Sequence, residues 1–126
     1  MQNVQDPMGP IIATRPMVWL RADGAEIPAF VEIGMPYQLP PDVPGEPGDW
    51  ACRVRTRGLG DNNFYTVYGV DGIQVLYLAL SMAGTLVSNS IVAGDLDWSE
   101  VPNFGFPPPP EQPDGDEGCE GCPPSP

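Results

Sequence analysis

The chain has 126 residues, 17 of them acidic and five basic, and with no Lys and no His its formal net charge is −12. Charge of that sign opposes non-specific binding to nucleic acid or to an anionic membrane, and without imidazole neither His-dependent catalytic triads nor His-containing zinc sites can be built. The length suits one domain of ordinary size, and 18 Pro with 15 Gly imply that part of it is loop or tail.

Met1 to Asp6 lacks a basic start followed by an apolar run, so no signal peptide is expected. No segment reaches the roughly 18 uninterrupted apolar residues of a membrane span. A cytoplasmic location is the expectation. Three cysteines, an odd number, do not suggest a disulfide framework. Residues 1–13, which include Pro7, Gly9 and Pro10, read as a flexible leader.

The first strand is expected from about Thr14 to Ala22, followed by Asp23-Gly24 as a hairpin turn of the primed type. The return strand, Glu26 to Gly34, alternates Ile27, Ala29, Val31 and Ile33 with Glu26, Pro28, Phe30 and Glu32. Pro28 lacks a backbone donor and suits an edge strand. Met35 to Asp49 carries five prolines and reads as a disordered or polyproline-like excursion. Trp50 to Leu59 then alternates Cys52, Val54 and Thr56 with Arg53, Arg55 and Arg57. Three guanidinium groups on one strand face suit a carboxylate or phosphate, or they cross-pair with Glu26, Glu32 or other acids of the neighbouring strand. Gly58 to Asn63 is a turn by composition, and Phe64 to Val67 is a short fourth strand.

One long helix is legible, from Gly72 to Val87. Asp71 with Gln74 three residues on forms a capping box. Gln74, Ser81, Thr85 and Ser88 fall in one narrow polar stripe, and apolar residues cover the remaining circumference. Asn89 and Ser90 stop the helix, and Asp95 to Trp98 alternates as a short closing strand. Pro107 to Pro110 ends regular structure, and 108–126 is expected to be a disordered, acidic Pro-rich tail.

The fold class expected is therefore α+β, an antiparallel sheet of four to five strands packed against the helix, with residues 14–107 as the domain. Trp19, Phe30, Trp50, Phe64, Trp98 and Phe106 are the aromatics expected in the core or at its rim.

Chemistry is sparse. Cys119 and Cys122 have a metal-like spacing, but two thiolates are half of what a structural zinc needs, and the third cysteine, Cys52, is expected on the inward strand face. Ser81, Ser88, Ser90 and Ser99 have no base to serve them. Asp95 and Asp97 share a strand face as a weak cation candidate. No Gly-rich phosphate loop is present, and no cofactor is expected.

The run Tyr68-Gly69-Val70-Asp71 with Gln74, Leu76, Leu78-Ala79-Leu80 and Gly84, preceded by Gly58-Leu59-Gly60 and followed by Gly94, Leu96 and Trp98 and by Gly105-Phe106-Pro107, resembles the signature of a family of uncharacterised small bacterial domains. The resemblance covers roughly residues 14–107. It implies a domain type and no activity. The tail from Pro108 onwards has no counterpart in it.

The functional expectation is a non-enzymatic protein-interaction module, of the kind that serves as an immunity-type or inhibitory partner of a basic protein. The alternative is a small anion-binding or ligand-binding domain using Arg53, Arg55 and Arg57. A metal-dependent enzyme using Asp95, Asp97 or the cysteines ranks last.

Overall fold

A computed structural model describes residues 7–60 and 62–109. Its elements are strands β1 (Ile11–Leu20), β2 (Glu26–Gly34), β3 (Tyr37–Gln38), β4 (Trp50–Arg57) and β5 (Asn63–Gly69), then helix α1 (Gly72–Ser88) and two short 3-10 turns, Ala93–Asp95 and Pro102–Gly105. The five strands form one antiparallel sheet with α1 across one face, as the alternation and the single long helix predict.

β4 is the hub. It pairs with β5 along Trp50–Thr56, and its other edge is shared by β2 and β3, with Phe30–Ile33 opposite Arg57–Val54 and Tyr37–Gln38 opposite Ala51–Trp50. β1 lies outside β2, so β1 and β5 are the sheet margins. Strand alternation puts Met17, Ala29, Val31, Ile33, Cys52 and Val54 in the core, where they meet Val75, Ala79, Ala83 and Val87 of the helix. Those helical positions follow at four-residue steps, and the two alanines bring the helix backbone close to the sheet. Each fully buried Val contributes about 1.5–3 kcal/mol over its exposed state.

The cap of α1 forms with one change of detail. Asp71 Oδ1 accepts the Gln74 N–H at 2.7 Å, while Gln74 Oε1 accepts the N–H of Val70 and not that of Asp71. Helix circumference differs more. Ser81 in the expected polar stripe is buried, because the segment around Asn103 and Phe106 packs onto that side at Gly84. The Ser81, Thr85 and Ser88 hydroxyls donate to carbonyls three or four residues back, so burial strands none of them. In exchange, Ile73 and Tyr77 face outward.

Four further expectations are corrected. The β1–β2 hairpin is not a two-residue primed turn. Arg21 and Ala25 close it, Gly24 alone has positive φ (90°), and Asp23 Oδ1 takes the Ala25 N–H, which is a three-residue loop ending in a glycine bulge. Pro28 lies in an interior strand, at a position beyond the last β4 pair, where no ladder bond to β4 is required. The Met35–Asp49 excursion is held, since β3 pairs with β4, Leu39 N–H donates to Asp49 O and Gln38 Nε2 to Gly48 O. Finally, Asp95 to Trp98 makes one bridge, Leu96 to Trp19, and no strand. The Asp97 side chain accepts the Val18 N–H that a ladder would have used, and the Asp97 N–H goes to Val18 O.

β1 starts three residues before the expected Thr14, and Met8 is buried against Gly34. Phe30 and Phe64 stand on the face away from the helix, unlike Trp19, Trp50, Trp98 and Phe106, which meet the core. The cysteines Cys119 and Cys122 and the tail expected to be disordered lie outside the described residues from 110 on.

Candidate functional site

Three surfaces carry groups that chemistry or recognition can use: the arginine face of β4, the outer edge of β5 with the start of α1, and the Arg15 corner at the β1 margin.

Because β4 alternates strictly, burying Cys52, Val54 and Thr56 under α1 forces Arg53, Arg55 and Arg57 together onto the opposite sheet face. The anion between two of them is Glu32, directly across the ladder from Arg55. Arg55 Nε and Nη2 both lie 2.7 Å from Glu32 Oε1, and Arg57 Nη2 lies 2.9 Å from Oε2. Glu32 is 7% exposed. Arg57 also stacks over Phe30, and Arg53 stacks over Tyr37 while donating to Pro7 O. The three arginines predicted to share a face do share it, and their arrangement is an internal ion pair with aromatic cover. Arg55 and Arg57 share the Glu32 carboxylate, and Arg53 stands beside them on the same face of a strongly acidic chain.

The second surface escaped the sequence reading. β5, Asn-Phe-Tyr-Thr-Val-Tyr-Gly, contains no charge and no proline, and among the described residues its outer edge makes no backbone hydrogen bond beyond β4. Natural sheet margins are usually blunted by charge, proline or a covering element. β1 is blunted in this way, by Pro16 and by the Asp97 bonds to Val18. β5 is not. Around it, Phe64 and Tyr65 are exposed, and Tyr68, Val70 and Ile73 are 59%, 71% and 80% exposed. Ile73 and Tyr77 lie one turn apart on α1 and extend the apolar surface from the end of the strand. The signal available in the sequence was the composition of β5 itself, a run of β-formers without a gatekeeping charge.

The remaining candidates resolve simply. Cys52 is fully buried, its Sγ donating to Gly34 O, and burial pushes the thiol pKa up, which makes it a poor nucleophile or ligand. Asp97 is turned to the β1 backbone, and among the described residues no group of three or more Cys, Asp or Glu is placed to hold a metal ion. No described helix is long and apolar enough to cross a membrane.

In comparisons with known proteins, no curated protein and no solved structure matches the sequence. A family model does match, over residues 13–108, which is most of the chain and takes in β2–β5, the helix and all of β1 but its first two residues. The chain thus belongs to the family described as Domain of unknown function (DUF6968).

Proposed function

We propose that the domain is a non-enzymatic protein-interaction module which receives an extended segment of a basic partner along the free edge of β5, in an inhibitory or immunity-type role. The observation that carries this reading is the seven-residue unblunted margin beside exposed Tyr68, Val70 and Ile73. Strand addition uses main-chain hydrogen bonds for affinity and side-chain pockets for choice of partner. β5 offers the first through its outward N–H and C=O groups and the second through its aromatics.

The basic character of the partner follows from charge. At −12 the chain attracts cations over a distance, while the neutral edge presents no like charge to the incoming strand. Anion binding at Arg53, Arg55 and Arg57 is the weaker reading, since Glu32 already sits between two of the three.

A displayed library of random 12-residue peptides tests the reading. Wild type is expected to enrich β-branched sequences containing Lys or Arg, and a Thr66→Lys variant, which places a charge on the strand, is expected to lose them. Enrichment unchanged by Thr66→Lys, or acidic sequences in the selected pool, overturns it.

A further inference from the structure

On the helix side of the sheet, at the β1 margin, residues of β1, β2 and α1 with Phe106 line a cavity of about 120 Å³ that opens to the surface. Ala13, Val31, Ile33, Leu80 and Phe106 make its walls apolar, and one charged group lines it, Arg15. The Arg15 guanidinium carbon lies 4.0 Å from the centre of the Trp98 ring and 4.5 Å from that of Phe106, and Nη1 donates to Phe104 O at 2.8 Å. These contacts fix the position of the group and use one of its five N–H donors.

Among the described residues no carboxylate lies within ion-pair distance of Arg15, whereas Arg21 has Asp23, and Arg55 and Arg57 have Glu32. Its rigid placement also has a backbone cost. Asn103, Phe104 and Gly105 are all left-handed, at φ 52°, 53° and 80°. For the two non-glycine residues that conformation is strained. Asn103 Nδ2 offsets part of it by donating to Phe106 O and Pro107 O. Gly105 is required for contact: a Cβ there would come within 2.9 Å of Trp98 and 3.0 Å of Arg15 Nη1.

We propose that this cavity is a binding site for a short-chain monocarboxylate, whose carboxylate takes the free donors of Arg15 and whose alkyl body lies against Val31, Ile33 and Leu80. A fixed guanidinium beside an apolar cavity selects for one negative charge joined to an apolar body. A 150 Å³ cavity accommodates benzene, so this one suits a body of about four to six non-hydrogen atoms. The inference does not depend on the β5 reading, since it uses the opposite margin of the sheet.

The test is a titration of the isotope-labelled chain with acetate, butyrate, valerate and inorganic phosphate, read at the Arg15 Nε–H and Trp98 indole N–H signals. Saturable shifts are expected for butyrate and valerate, with affinity rising about fourfold per added methylene until the cavity is full. Phosphate and acetate are expected to bind weakly or not at all. Arg15→Met keeps an apolar stem under the rings and should abolish the response. Leu80→Phe fills the cavity without touching the charge, and should remove the chain-length dependence even if Arg15→Met does not fold. No saturable response on wild type, equal responses to phosphate and valerate, or an unchanged chain-length series in Leu80→Phe each overturn the assignment.

Discussion

At the scale of single residues, Glu32 decides the character of the β4 arginine face. Converting it to Gln removes the negative charge that Arg55 and Arg57 share, and Arg55 is mostly buried. The expected loss is about 1–3 kcal/mol in urea denaturation, more than an exposed pair yields and less than a fully buried one. Arg57→Gln should cost less than Arg55→Gln, because the Arg57 side chain is half exposed. Cys52 gives a prediction in pH. Burial raises its pKa, so the neutral thiol is favoured in the folded chain, and that preference weakens as pH rises through the folded value. The stability difference between wild type and Cys52→Ala should therefore shrink above the ordinary thiol range. In a Cys119→Ser/Cys122→Ser background, a thiol reagent should find Cys52 only after denaturant is added. Prompt labelling of the native chain would place Cys52 elsewhere.

At the scale of elements, the helix shows which features the sequence announces. Its start was legible because a cap is local: Asp71 and Gln74 lie three residues apart and need nothing from the remaining chain. The inward face of β4 was legible for the same reason, through a two-residue period. Contacts made across long separations were hidden. β3 exists because two residues find β4, Ser81 is buried because a segment about twenty residues later lands on Gly84, and Arg15 meets Phe104 across 89 positions. Gly84→Ala separates local propensity from tertiary contact. In an exposed helix it would stabilise by about 1 kcal/mol. Here the added Cβ would lie 2.9 Å from Phe106 Cβ and 3.0 Å from Asn103 Nδ2, so the variant should melt below wild type and loosen the Arg15 corner. Asp71→Ala should cost about 1 kcal/mol through the lost cap. A higher melting temperature for Gly84→Ala would mean that the 102–107 segment does not rest on the helix.

At the scale of the whole molecule, the chain combines a strongly negative field with two features of another kind, the uncharged β5 edge and the arginine face. The α+β layering was legible from the order of strands and helix. The open margin was not, because which strand ends up outermost depends on pairing order, and β5 reaches the edge only because β2 and β3 share the other side of β4. Steering by the field should make association with a basic peptide fall steeply as salt rises, whereas dissociation, governed by main-chain bonds, should change little. Stopped-flow rates between low and physiological salt check this.

Residue-resolved amide exchange of β5, measured by NMR with and without a selected basic peptide, bears most directly on the docking edge. The account predicts that in the free chain the amides of Asn63–Gly69 pointing away from β4 exchange quickly, and that bound peptide slows that set and gives interstrand NOEs to it. Outward amides already protected in the free chain, or a peptide whose NOEs run to another surface, would contradict it.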